Sequence, residues 1–287
     1  MLLRSNSHLQ PELSAIASLV SVRDVFTPFV ATFDGHSKVT YVWEEWMEIA
    51  SERSQSELDQ LALVMVDNKP VGTLSYDALE NHKKHIMECM DPIDINILIT
   101  VNTSLMEVVE MFAKTHYYYF IVIDGNELVG WLSYNDLFKL PFKLALFAQL
   151  LAIESKMIIA AQKDPEASFN LLSIGRQKKA YEIFKKRQGA HLNKQEPSFQ
   201  YLITCTCLID KFTMLFKNHE LLDAVPSIKM KKLHKKFETI RNALAHPNPE
   251  DLLHVLLNRG QFGDFCRWLL NLNAELSEFL EEGVESI

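Results

Sequence analysis

Two stretches in the first half of the chain carry the same order of apolar and polar positions. Leu63-Val-Met-Val-Asp-Asn-Lys-Pro-Val-Gly-Thr-Leu-Ser-Tyr-Asp77 reads as a short apolar strand, an Asp-bearing turn, a second strand and a Ser-Tyr step that opens a helix. Ile121-Val-Ile-Asp-Gly-Asn-Glu-Leu-Val-Gly-Trp-Leu-Ser-Tyr-Asn-Asp136 repeats it. Upstream, Thr27-Pro28 corresponds to Asp91-Pro92, each starting an extended segment. A strand-like run from Ile95 to Val101 follows the second. A capping box, Ser104-x-x-Glu107, then opens a helix with Leu105, Val108, Val109 and Phe112 at helical spacing. The first copy keeps this order, with a longer middle that holds Val42, Trp43 and Trp46 before Leu61.

From Pro141 the strand signals stop and amphipathic helices take over. The spacing predicts five. Residues 142–162 are apolar nearly all round, as expected of a connector helix buried against both modules. Residues 166–188 end in the basic run Lys185-Lys186-Arg187 before Gly189. Residues 198–218 place Leu202, Cys205, Ile209, Phe212 and Phe216 on one stripe, and 227–245 do so with Met230, Leu233, Phe237, Ile240 and Leu244. Residues 261–280 close the domain with Phe265, Leu269, Leu272, Leu276 and Phe279. Short connections between them argue for a bundle. The expected fold is α+β and multidomain: repeats at 1–80 and 81–142, a connector at 143–164, and an all-helical domain at 165–287.

Composition narrows the class. With 48% hydrophobic and 23% charged residues over 287 positions, the chain has the make-up of a globular protein with room for two cores. No unbroken apolar run reaches the roughly 18 residues of a membrane span, and residues 1–20 lack a signal-peptide core. Cys89, Cys205, Cys207 and Cys266 form no C-x-x-C pair, so neither a disulfide framework nor a zinc ribbon is expected, and a cytoplasmic location is. The net charge of -8 is unevenly spread. Residues 1–140 carry 9 Lys/Arg against 20 Asp/Glu, whereas 141–273 carry 20 against 12. A polyanion is attracted to the second half and repelled by the first.

The order β-α-β-β-α over about 60 residues, given twice, resembles the cystathionine-β-synthase (CBS) domain in its usual tandem pair, over residues 15–142. The motif Gly-h-h-(Ser/Thr)-x-x-Asp is met in full by Gly130-Trp131-Leu132-Ser133-Tyr134-Asn135-Asp136. The resemblance implies that Asp136 binds ribose hydroxyls and Ser133 contacts phosphate of an adenosyl ligand, AMP or ATP, with Gly130 in the same site. A hydroxyl and N–H groups at a helix start suit an anion, and a carboxylate one turn on accepts bonds from a cis-diol. The first copy, Gly72-Thr73-Leu74-Ser75-Tyr76-Asp77-Ala78, has Ala in place of the acid, and Asp77 is rotated about 100° from it on a helix. One adenosyl site is therefore expected. The plain alternative is that Ser133 caps the helix and Asp136 favours its dipole.

In the second half, Arg241-Asn242-x3-His246 lies near the end of an amphipathic helix stopped by Pro247. This resembles the HEPN superfamily (higher eukaryotes and prokaryotes nucleotide-binding), many members of which are metal-independent ribonucleases working as dimers. The residue types suit cleavage of RNA by its own 2′-OH. Proton transfer needs a group of the histidine type, which His246 supplies, Arg241 offers a fixed cation to the phosphorane, and Asn242 orients either group. Lys229, Lys231, Lys232, Lys235 and Lys236 lie on the same helix and can steer RNA. The alternative is an Arg pinned to a carbonyl or a neighbouring carboxylate.

The resulting expectation is a homodimeric, adenine-nucleotide-regulated endoribonuclease that needs no catalytic cofactor or metal. HEPN domains also act as toxins. A non-enzymatic nucleotide sensor, whose helical domain dimerises or binds a partner, is the other reading. Among weaker features, His82 and His85 read as linker residues, Cys205-Thr-Cys207 as spanning a helix, and Tyr117-Tyr118-Tyr119-Phe120 as a core strand.

Overall fold

The structure, a computed structural model, describes residues 20–52, 61–79, 85–188, 196–217, 227–245 and 258–282. They fall into two compact units that divide between Phe142 and Lys143.

The first unit holds every strand among the described residues. These are β1 (Thr27–Pro28), β2 (Thr32–Asp34), β3 (Leu61–Val66), β4 (Lys69–Ser75), β5 (Asp91–Pro92), β6 (Leu98–Thr100), β7 (Tyr119–Asp124) and β8 (Glu127–Ser133). They form two four-stranded sheets, ordered β2-β3-β4-β5 and β1-β8-β7-β6. Each sheet is a hairpin with a parallel strand on one side and a two-residue antiparallel strand lent by the other repeat on its far side. Thr27 and Pro28 face Trp131 and Gly130, and Asp91 and Pro92 face Thr73 and Gly72. The equivalence of Thr27-Pro28 with Asp91-Pro92 is thus a matter of register.

The helices cover these sheets because their apolar positions recur every three or four residues. In α1 (Val39–Glu52), Val39, Val42 and Trp46 pack with Phe33, Val64 and Leu74, while Trp43 stays partly exposed. A one-turn helix, α2 (Tyr76–Leu79), follows β4. In α3 (Leu105–Lys114) the Ser104 hydroxyl accepts the Glu107 N–H at 3.2 Å, and Leu105, Val108, Val109 and Phe112 are buried as their spacing demands. Phe112 meets Phe120 at 4.7 Å between ring centres. Each such side chain withdrawn from water contributes roughly 1.5–3 kcal/mol. Of the aromatic run only Phe120 is core; Tyr118, one residue before β7, is 77% exposed.

The second unit is helical: α4 (Leu140–Ala161, beginning at the end of the first unit), α5 (Pro165–Asn170), α6 (Ile174–Gln188), α7 (Phe199–Thr204), α8 (Leu208–Lys217), α9 (Ser227–Ala245) and α10 (Arg259–Glu282). One core joins Phe169, Leu172, Ala180, Leu202, Ile203 and Met214. Around Phe212, the rings of Phe216, Phe237 and Trp268 lie at 5.4, 5.3 and 6.2 Å.

Two of the five expected helices are each broken in two. At Leu171–Ser173 the Gln177 amide donates to the Phe169 and Leu172 carbonyls, taking over bonds that a continuous helix would make. At Cys205–Cys207 the hydroxyls of Thr204 and Thr206 donate to the Tyr201 and Ile203 carbonyls, and Asp210 accepts the Cys207 N–H at 3.1 Å. Hydroxyl and carboxylate side chains offer the backbone local partners that end a helix. Cys205 and Cys207 therefore bracket a break instead of spanning a helix.

No unbroken apolar run of membrane-spanning length occurs in α4, because Lys143, Glu154 and Lys156 interrupt it. By length and composition α4 is nonetheless apolar enough to cross a membrane, although most of it is buried inside the protein. Its few polar groups bind within the helical unit. The Lys156 ammonium donates to Asn273 Oδ1 at 2.7 Å and to the Ser277 hydroxyl, and Glu154 bonds Lys211.

Candidate functional site

Strand β8 ends at Ser133 in extended backbone, and residues Tyr134–Phe138 turn as a short 3-10 helix. The Ser133 N–H donates to Asp136 Oδ2 at 2.6 Å and the Ser133 hydroxyl to the same oxygen at 2.9 Å, a capping box that fixes the carboxylate. The other oxygen, Oδ1, accepts the Thr27 hydroxyl at 3.2 Å and stands 2.7 Å from the Lys139 ammonium. Lys139 also donates to the Val25 carbonyl at 2.5 Å and to Thr27 Oγ1 at 3.1 Å. Asp136 is only 6% exposed, so its charge is tolerable because each oxygen is paired.

This arrangement fits an adenosyl ligand. Oδ2 is occupied by the cap, whereas the partners of Oδ1, a hydroxyl and a solvent-reaching ammonium, are the kind that a ribose diol can replace. Released from Asp136, Lys139 is a cation for phosphate. Ser133 and Asp136 are thus brought together, and the same contacts satisfy the plain capping reading. Thr27 and Lys139 escaped the sequence reading. Lys139 carried a signal, three residues after Asp136 on a helical turn, but Thr27 lies 109 positions away and carried none.

Gly130 stands in the same segment for a different reason. A Cβ there would lie 2.3 Å from the Thr27 carbonyl oxygen and 2.9 Å from Pro28 Cα. The glycine lets β1 approach β8, and so brings Thr27 to Asp136. Gly72 has the matching role beside Asp91, whose carbonyl oxygen lies 2.8 Å from the corresponding point.

In the first copy Ala78 packs against the apolar core and Asp77 is exposed, so no carboxylate takes the place that Asp136 holds. A different polar cluster occupies this side. The Tyr119 hydroxyl sits 3.0 Å from Thr73 Oγ1 and donates to Asp91 at 3.4 Å. Burial pushes the Tyr119 phenol above its ordinary range.

Near the end of α9 the Arg241 guanidinium donates to Asn242 Oδ1 at 3.3 Å. Arg241 Nε also faces Glu154 Oε2 of α4 at 3.3 Å, too poorly aligned for a hydrogen bond, so charge holds the pair. The second Glu154 oxygen binds buried Lys211 at 2.5 Å. Two cations on one carboxylate leave a net positive charge around Arg241. Glu154 and Lys211 come from elements that spacing could not connect to Arg241. His246 lies outside the described residues. Lys235 is exposed, but Lys236 donates to the Gln261 carbonyl and lies over the Phe265 ring, with burial lowering its pKa. The side chains of Lys229, Lys231 and Lys232 are outside the described residues. Among the described residues no group of three or more His, Cys, Asp or Glu side chains can hold a metal.

Residues 88–143 match the family model for the CBS domain. No curated protein sequence matches the chain. Among solved structures, the chain is similar to CBSX2 in complex with AMP, at 19% identity and a TM-score of 0.31, over 41% of this chain and 92% of that one. It is similar to the CBS domain of a bacterial CNNM/CorC family Mg2+ transporter in complex with ATP, at 12% identity and a TM-score of 0.34, over 49% and 97%. The CBS domain protein TA0289 of Thermoplasma acidophilum, of unknown function, aligns at 17% identity and a TM-score of 0.32, over 45% and 75%. Residues 88–143 of this chain are therefore a CBS domain, in a mixed α+β protein whose C-terminal region is helical.

Proposed function

We propose that the chain is an adenine-nucleotide sensor that controls an RNA-cleaving helical unit. The observation that carries the sensing half is the buried Asp136 carboxylate, oriented by Ser133 and faced by the exchangeable pair Thr27 and Lys139. Ribose bonds to Asp136 and phosphate draws on Lys139 and Ser133. Because Ala78 replaces the acid in the first copy, each chain binds one nucleotide. Lys139 directly precedes α4, the helix that carries Glu154, so its state can bear on the helix that pins Arg241.

In the catalytic half, His246 takes the proton of the attacking 2′-OH, the P–O5′ bond breaks as the 2′,3′-cyclic phosphate forms, and the departing 5′-oxygen takes that proton back. Arg241 neutralises the phosphorane charge and Asn242 orients them, with no metal. Two copies supply the facing motifs of a homodimer. Regulation requires the nucleotide to bind the active and inactive arrangements unequally. A second reading, a sensor without catalysis, is favoured by one contact: Arg241 already has Glu154 as a structural partner.

The test is incubation of the purified chain with mixed RNA in EDTA, with and without AMP and ATP, beside His246→Ala. Cleavage by the parent chain alone, leaving 2′,3′-cyclic phosphate ends at a nucleotide-dependent rate, is expected. Equal inertness of both proteins under every nucleotide selects the non-catalytic sensor.

A further inference from the structure

Helix α6 carries Arg176, Lys178, Lys179, Lys185, Lys186 and Arg187 against a single acid, Glu182, in a chain of net charge -8. The six cations divide by face. Arg176 and Arg187 are engaged by the rest of the unit: Arg176 pairs with buried Asp210 at 3.5 Å, and Arg187, although exposed, donates to the Thr204 carbonyl at 3.1 Å. Ala180 is buried, and Phe184 packs edge-on to Tyr201 at 5.2 Å. The four lysines all lie exposed on the opposite face, and among the described residues no carboxylate pairs with any of them. Elsewhere among the described residues six Lys or Arg side chains find carboxylates, whereas these four lysines cluster on one helix without one.

The placement is regular. Lys178 and Lys185, like Lys179 and Lys186, stand seven residues apart, two turns and about 10 Å along one side of the helix. Tyr181 borders this face on the Lys178–Lys185 side, and the exposed Glu182 lies between the two pairs. Its ring is held edge-on by Phe169 at 6.1 Å yet remains 37% exposed. A row of unpaired ammonium groups beside a fixed, accessible aromatic ring is the combination that grips a single-stranded nucleic acid, phosphates on the cations and a base on the ring. Membrane docking is disfavoured because the apolar side of this helix, Ala180 and Phe184, is spent on the core and leaves no apolar stripe to insert.

We infer that the outer face of α6 is a single-stranded RNA-binding surface, in which Lys178, Lys179, Lys185 and Lys186 neutralise backbone phosphates and Tyr181 stacks a base. It rests on the RNA reading above for the choice of RNA and extends it, since these residues lie outside the Arg241–His246 motif.

Anisotropy of a fluorescent 2′-O-methyl RNA 12-mer, which cannot be cleaved by its own 2′-OH, separates binding from cleavage. The full chain should bind with a strong salt dependence. The triple variant Lys178→Gln/Lys185→Gln/Lys186→Gln, checked for an unchanged melting temperature, should bind 10-fold or more weakly. Its salt slope should fall by about 2, at roughly 0.7 per phosphate contact on a single strand. Tyr181→Ala should weaken binding without changing the slope. Equal affinity and slope in parent and triple variant overturn the inference. So does failure of the parent to bind the RNA, or preference for anionic lipid vesicles or for a polyglutamate peptide at equal charge. Cleavage of ordinary RNA is scored separately. Lysine-dependent binding without cleavage retains this surface and rejects the nuclease, and cleavage with lysine-independent binding does the reverse.

Discussion

A Cβ placed on Gly130 would stand 2.3 Å from the carbonyl oxygen of Thr27, closer than any relaxed side chain sits. This approach couples the strand pairing to the proposed nucleotide site, because the same close pairing carries the Thr27 hydroxyl to Asp136. Gly130→Ala is expected to cost at least about 2 kcal/mol of stability, since the obstruction is backbone that cannot swing aside. Gly72→Ala should cost less, as its nearest obstacle is the flexible Met90 thioether at 2.5 Å and its backbone obstacle, the Asp91 carbonyl oxygen, stands farther off at 2.8 Å. Urea denaturation of both variants checks the order, and a larger loss in Gly72→Ala would contradict it.

Glu154 holds two cations of unequal exposure, and the variants should separate them. Lys211 is 7% exposed in its side chain, so Glu154→Gln leaves a buried ammonium unpaired and should cost about 3–5 kcal/mol. Arg241 is 35% exposed, and Arg241→Ala should cost no more than about 1 kcal/mol, because Glu154 keeps Lys211. Chemical denaturation measures both. If Arg241→Ala is as destabilising as Glu154→Gln, Arg241 is a structural residue first.

Much of this was legible in the sequence. The paired Thr27-Pro28 and Asp91-Pro92 segments, the Ser104 cap and the buried positions of α3 follow local rules of turn chemistry and helical period, and such rules act over a few residues. What was not legible depends on distance or on competition. Glu154 sits in an apolar helix 87 residues before Arg241, and nothing in spacing brings them together. The breaks at Leu171–Ser173 and Cys205–Cys207 arise where Gln, Thr and Asp side chains outbid the helix for its own carbonyl and N–H groups. An amphipathic pattern that continues across the break conceals them. The apolar character of α4 was legible, but not that the two charges interrupting it, Glu154 and Lys156, are paired or bonded inside the helical unit.

Burial lowers the Lys156 pKa from its ordinary 10.5, with Glu281 a smaller opposing influence. Between that lowered value and 10.5 the unfolded chain binds more protons than the folded one, so stability rises with pH across this window. The desolvation cost is therefore full at neutral pH and is relieved toward pH 10.5. In Lys156→Met this contribution is absent. The stability of the parent relative to the variant should increase between pH 7 and pH 10 by urea denaturation, and a difference that stays constant or falls would contradict the burial account.

Thiol chemistry gives an independent check. Burial raises the Cys207 pKa, assisted by its bond to Asp210, and burial raises that of Cys266 further. Less thiolate at pH 7.5 means slow alkylation. In the folded chain both should react with iodoacetamide much more slowly than after unfolding, as read by peptide mass spectrometry. Rapid labelling of Cys266 in the native protein would contradict the packing around α10.

The central claim, one adenine-nucleotide site built on Asp136, is tested most directly by isothermal titration of the full chain with AMP and with ATP, beside Asp136→Asn. The variant keeps an acceptor for the Ser133 N–H, so it should stay folded with a loss of about 1 kcal/mol. The account predicts binding of at least one of the two nucleotides at one site per chain in the parent and none in Asp136→Asn. No binding in the parent, two sites per chain, or undiminished affinity in a folded Asp136→Asn would contradict it.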